Sequence, residues 1–272
     1  MVRPSLVGKS ALILGWTCLG AACGESSDPA DPFNPDDVSA GTVIAGHQSI
    51  ASFSSIPTNT LDFIRANYNF YYGHTSHGSQ IMTGLSMLAA EGAEFSVPTF
   101  HEVGDDLGHN GDVSWAAATR SYLDAHPGES NVVMWSWCGG ASDNTEEGIN
   151  TYLSTMEQLE ADYPDVLFIY MTGHLDGTGV AGNLYARNDQ IRAYAAANDK
   201  VLFDFADVES YDPDGNYYPD ASDDCSWCST WCASHSCPAC GSCAHSHCFN
   251  CYLKGKAFWG MMARVSGWEP ST

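Results

Sequence analysis

Two hydrophobic patterns alternate along this chain. Predominantly apolar runs at residues 69–73, 131–137, 165–171 and 201–205 read as strands buried on both faces, since a strand with one wet face would alternate apolar and polar positions. Residues 81–91, 115–125, 145–163, 183–198 and 254–265 instead place apolar side chains three and four apart, the spacing of a helix stripe. In 145–163 the stripe is Ile149, Tyr152, Leu153, Met156 and Leu159, and Pro164 stops it. Strands separated by helices of this length predict an α/β fold: three layers, α/β/α, around a mostly parallel sheet.

The first 42 residues break this rhythm. Arg3 and Lys9 precede a short apolar stretch that ends in Leu19-Gly20-Ala21-Ala22-Cys23. It is too short to span a bilayer and predicts a cleaved signal peptide over 1–22. The small residues before Cys23 resemble a lipobox. That resemblance implies lipidation at Cys23, membrane contact through the lipid anchor only, and residence in a bacterial cell envelope as an outer-membrane lipoprotein. An ordinary signal peptide cut nearby is the alternative. Residues 23–42 are acidic and Pro-rich, with too little apolar surface to fold, and predict a tether. One domain, 43–272, remains. The formal net charge of −23 argues against nucleic acid as a partner.

Ligands of parallel α/β sheets bind beyond the carboxyl ends of the strands, so the residues after each predicted strand are the candidates for chemistry. They are Gly73-His74-Thr75-Ser76-His77-Gly78, then Cys138-Gly139-Gly140, then Thr172-Gly173-His174-Leu175-Asp176, with Ala244-His245-Ser246-His247 before the last helix. This ordered set resembles the SGNH hydrolase superfamily, in particular divergent members with His-x-Ser in place of Gly-Asp-Ser. The resemblance covers residues 69–267 and implies an SGNH/flavodoxin-like fold and hydrolysis of an ester on a small molecule, glycan or lipid, with no required cofactor. It implies Ser76 as nucleophile and His247 as its base. The backbone N–H of Ser76 and of Gly139, with the His174 side chain, would form the oxyanion hole. Members of the family carry an Asp two or three residues before the base; here those positions hold His245 and Ala244. His245 is therefore counted with the catalytic set, and His247 would be oriented by a backbone carbonyl, by Asp223 or Asp224, or not at all. His74, His77, His109 and Asp176 are expected to border the substrate.

Each of these residues has a plainer reading. Ser76 lies just before a helix, where serines commonly cap. His74, His77 and His174 could hold zinc, although no fixed ligand spacing supports it. Asp212, Asp214, Asn216 and Asp220 alternate as oxygen ligands do in calcium loops, while Asp-Pro-Asp-Gly is also an ordinary turn sequence. A non-catalytic binding module on the same fold, or a metal-binding envelope protein, are the competing function classes.

Eight of the eleven cysteines crowd into one segment: Cys225, Cys228, Cys232, Cys237, Cys240, Cys243, Cys248 and Cys251. Repeated Cys-x-x-Cys spacing suits zinc, and an even number suits disulfides. Export favours disulfides and predicts a stapled Cys-rich insertion over 222–252 that presents the loop carrying His247. Cys138 stands apart at a strand end, as a buried thiol near the site or itself a nucleophile.

Overall fold

A computed structural model describes residues 41–239 and 241–270. The expected signal peptide, Cys23 and most of the tether lie outside them. Six strands form one sheet in the order β1-β6-β5-β4-β2-β3: β1 (Val43–Ala45), β2 (Asn69–Gly73), β3 (Thr99–Val103), β4 (Val132–Trp135), β5 (Leu167–Met171) and β6 (Val201–Phe203). Every pairing is parallel, so the sheet is wholly rather than mostly parallel. From β2 onward the order is the flavodoxin-like 2-1-3-4-5, with β1 added outside β6. Between β2 and β4 the chain reverses its direction of travel across the sheet, and there a ligand crevice is expected.

Four strands follow the apolar runs; β1 and β3 do not. β1 has three residues, too few to leave a pattern. β3 is an edge strand whose Thr99, His101 and Glu102 are exposed, so it has no reason to be apolar. The central strands β4 and β5 are almost entirely buried.

Helices cover both faces. On one, α1 (His47–Ser52), α2 (Thr58–Asn67) and α3 (Ser79–Glu91) pack on α9 (Cys248–Val265); on the other, α4 (Ser114–Ala125), α5 (Glu146–Asp162) and α6 (Asn183–Ala197) contact one another in series. Thr145 caps α5 by accepting the Gly148 N–H at 3.0 Å, and Glu146 and Glu147 in its first turn favour the helix dipole. β6 stops at Phe203 because Asp204 turns the chain into α7 (Phe205–Ser210), accepting the Asp207 N–H. Asp204 also receives a bidentate Arg192 at 2.6 and 2.9 Å, both side chains buried.

α9 begins six residues before the expected start, with fourteen of its residues buried. It crosses α3 with backbone against backbone. A Cβ on Gly84 would lie 1.9 Å from the Cys251 carbonyl oxygen, and one on Gly255 would lie 2.5 Å from the Gly84 carbonyl carbon. No side chain larger than hydrogen fits either position.

The Cys-rich segment holds a further helix, α8 (Ser226–Ser234), and is stapled by Cys225–Cys228, Cys232–Cys237 and Cys243–Cys251. Cys248 is also disulfide-bonded; Cys240 lies outside the described residues. Several disulfides in one segment belong to an oxidising, extracytoplasmic setting. Among the described residues no helix is long and apolar enough to cross a membrane.

Candidate active site

The turn after β2 and the turn after β4 meet at the crevice. Cys138, the free cysteine among the described residues, is half-buried and receives two neighbours from the β2 turn. Ser76 Oγ lies 3.4 Å from Cys138 Sγ, and His77 Nδ1 lies 3.2 Å from it. The other His77 nitrogen, Nε2, is 2.9 Å from Asp223 Oδ2. His77 therefore spans a thiol and a carboxylate. An ionised carboxylate can only accept, so Nε2 carries the proton and donates it to Asp223, leaving the Nδ1 lone pair facing the Cys138 S–H.

Two more imidazoles sandwich this ring. His174 stacks on His77 at 3.7 Å between centroids and 3° between planes, and His245 stacks at 4.6 Å and 16°. His174 comes from the loop after β5, and its Nδ1 is 2.8 Å from the Leu175 carbonyl oxygen. His245 comes from the disulfide-stapled loop before α9 and sits at φ 59°, the left-handed region. His77 itself is only 7 % exposed. Burial lowers its pKa below the ordinary histidine value; the Asp223 hydrogen bond and charge oppose that, while His174 and His245 reinforce it. The ring is therefore neutral at pH 7, as a proton acceptor must be.

Beside the thiol, Gly139 has φ +85° and open space where a Cβ would be. A residue with a side chain would be strained there.

Ser76 does not cap α3, whose N-cap is Gly78 without a side-chain bond; its hydroxyl faces Cys138. His247 Nδ1 accepts the Phe249 N–H at 3.2 Å and caps α9, and its own N–H donates to the Asp224 carbonyl. No hydrogen bond joins His247 to Ser76 among the described residues. His74 turns toward β3, with Nε2 2.8 Å from Glu102. His109 pairs with Asp143 at the surface. Asp176 accepts the N–H and hydroxyl of Thr178 and bridges to Ser222, one residue from Asp223. The structure thus gathers Ser76, His77, Cys138, His174, Asp223 and His245, and places His74, His109 and His247 on other partners. Asp223, one of the groups offered to orient His247, hydrogen-bonds His77 instead.

His77, His174 and Asp223 offer ligand atoms within 4.8 Å of one another, a donor set that suits zinc in kind. The orientation does not suit it. An imidazole binds zinc at about 2.0–2.1 Å along its in-plane lone pair, and one ion cannot lie in the planes of two nearly parallel, face-to-face rings whose centroids are 3.7 Å apart. The calcium candidate is closed in another way. Asp212 Oδ1 accepts the N–H groups of Asp214 and Asn216, and Oδ2 accepts Asn216 Nδ2 and the Tyr218 hydroxyl. Asp214 Oδ2 accepts the Trp231 indole N–H. These bonds build a turn around the buried Asp212 carboxylate, whose two oxygens are both occupied by donors of the loop itself.

No family model, curated protein or solved structure matches this chain.

Proposed function

We propose that this chain is an exported acyl hydrolase whose nucleophile is Cys138, with His77 as general base and Asp223 as its orienting acid. The observation that carries the proposal is the continuous Cys138–His77–Asp223 contact, 3.2 and 2.9 Å, at the reversal point of the sheet. In the first step the Cys138 sulfur attacks the carbonyl carbon of an ester while its proton passes to His77 Nδ1. Asp223 stabilises the imidazolium that forms. The C–S bond is made, the carbonyl becomes an oxyanion, and collapse expels the alcohol with the proton from His77. Water, deprotonated by His77, then attacks the thioester and releases the acid and the thiol. The Gly139 N–H is the backbone donor nearest in sequence to the nucleophile for the oxyanion.

Ser76 attack, as in the SGNH hydrolases that the strand order and motif sequence resemble, is the second reading. It is favoured by the 3.4 Å approach of Ser76 Oγ to the same thiol, which puts both nucleophiles over one substrate position. Its weakness is the base, since His247 is committed to capping α9. Export as a Cys23-linked lipoprotein would place this site in the cell envelope. Loss of detergent-phase partitioning in Cys23→Ala tests that attachment.

The hydrolase is tested with 4-nitrophenyl acetate on the purified domain, with mass spectrometry of the quenched reaction. An acetyl group on Cys138, loss of turnover in Cys138→Ala and retention in Ser76→Ala are expected. An acetyl group on Ser76, with activity intact in Cys138→Ala, would transfer the chemistry to the serine. Activity unchanged in both variants would overturn the site.

A further inference from the structure

Beneath the stacked histidines lies a charge that the chemistry above does not use. Lys254, on α9, is 0 % exposed. Its ammonium donates to Glu209 Oε1 at 2.8 Å and to Gln80 Oε1 at 2.5 Å and lies 4.3 Å from the Phe205 ring centroid. Burying an ion pair is expensive, and similar volumes of apolar side chain are often as stable or more so. The pair therefore calls for an explanation other than stability, and its outward connections supply one.

Glu209 uses its second oxygen, Oε2, to accept the Leu175 N–H at 2.7 Å. The Leu175 carbonyl in turn accepts the Asp223 N–H at 3.1 Å and faces His174 Nδ1 at 2.8 Å. The main chain of this single residue thus seats both Asp223 and one of the two stacking rings. Gln80 carries the other branch. Its Nε2 donates to the Ala244 carbonyl at 2.6 Å, the residue before His245. Its own N–H bonds the His77 carbonyl at 3.0 Å. Asn250 adds a tie between Glu209 and Ser246, the residue after His245.

We infer that Lys254 is a positioning residue: through Glu209 and Gln80 it clamps the His174 and His245 loops against opposite faces of His77 and holds Asp223 at Nε2. The two branches leave one buried ammonium and return to one imidazole. Flanking groups of this kind fix the rotamer and tautomer of a reacting side chain, and loosening them by about 1 Å is enough to spoil a site. The inference rests on His77 being the working base, but its test does not depend on turnover.

Lys254→Met alone strands the Glu209 carboxylate in the core and is expected to unfold the protein. Two gentler variants are used instead. Lys254→Met/Glu209→Gln removes both charges together, and Gln80→Leu cuts only the branch to Ala244 and leaves the ion pair whole. The readouts are the ¹⁵N shifts of His77, which report its tautomer, and the ring-current shifts of its carbon-bound protons, which report stacking. Iodoacetamide alkylation of Cys138 is measured in parallel. In wild type His77 is a single Nε2–H tautomer with upfield-shifted ring protons. The double variant is expected to show mixed tautomers and Cys138 alkylation slower by about 10-fold. Gln80→Leu is expected to lose the His245 ring-current shift while the Asp223-bound tautomer persists. Folded variants with wild-type His77 shifts would overturn the clamp and make the ion pair merely structural. If His77→Gln alkylates at the wild-type rate, the base assignment fails, while the His77 shifts of the other variants still decide the clamp.

Discussion

Removing the Asp223 carboxylate measures directly what the buried relay contributes. In Asp223→Ala the His77 Nε2–H loses an acceptor at 2.9 Å, and the imidazolium formed in attack loses its counter-charge. Asp223 is about a quarter exposed, so its truncation leaves no buried void and the fold should survive. A hydrogen bond to a charged group is worth about 1.5–3 kcal/mol, which corresponds to a rate loss of roughly 10- to 150-fold. Both contributions of Asp223 raise the His77 pKa against burial, so without it the ring should titrate at still lower pH. The assay is iodoacetamide alkylation of Cys138 from pH 5 to 9, resolved by peptide mass spectrometry, with kcat/KM for 4-nitrophenyl acetate beside it. Both rates should fall together, and the fall should be largest near neutrality, where base assistance matters most. A variant alkylated and turning over within twofold of wild type would refute the relay, and Asp223 would be only a loop anchor.

Four other outcomes follow from the same geometry. Because the folded state holds His77 below its ordinary pKa, the unfolded chain binds the proton first as pH falls below about 6.5; denaturation at pH 5 to 7 should show stability dropping over that range, less steeply in His77→Gln. Thiol enzymes usually gain from reductant, but here Cys243–Cys251 and Cys225–Cys228 flank His245 and Asp223, so dithiothreitol sufficient to open them, followed by thiol counting, should lower activity. Segments 74–78, 104–113, 136–145, 172–182 and 211–225 contain no Lys or Arg while supplying Asp105, Asp106, Asp143, Asp176, Asp223 and Asp224; a cationic choline ester should react faster than an anionic succinyl ester, by a margin that shrinks with salt. Gly84→Ala would put a methyl 1.9 Å from the Cys251 carbonyl oxygen and should lower stability by about 1–3 kcal/mol or more in urea unfolding.

The sheet was legible where burial dictated composition. β4 and β5 need apolar side chains on both faces, and they announced themselves. β3 needs none at its exposed edge and β1 is too short, so neither left a trace. The site was legible in part for the same kind of reason. Strand ends are turns, so His77, Cys138 and His174 stood out at them. What joins them did not show, because Asp223 reaches His77 across 146 positions and only the folded path of the Cys-rich segment brings it there. The late histidine pair divides between two places. His247 lies immediately before α9 and caps it, while His245, two residues earlier and in a left-handed turn, is the ring that faces the site. The Ser-Asp-Asp ahead of the first Cys-x-x-Cys was the available signal for the carboxylate that bonds His77, and nothing local marks which of the two aspartates reaches it.

The crossing of α3 and α9 at Gly84 and Gly255 has a mechanical consequence. With main chain on main chain there is no cushion of side chains to compress, so the two helices move as one body. α3 leads directly out of the turn that bears Ser76 and His77, and α9 out of the stapled loop that bears His245. That half of the crevice is in effect a fixed jaw. The loop after β5 is tied to the same half through Leu175 and Glu209, so if the site is a hydrolase, widening for a bulky acyl donor falls to the loop that follows β3.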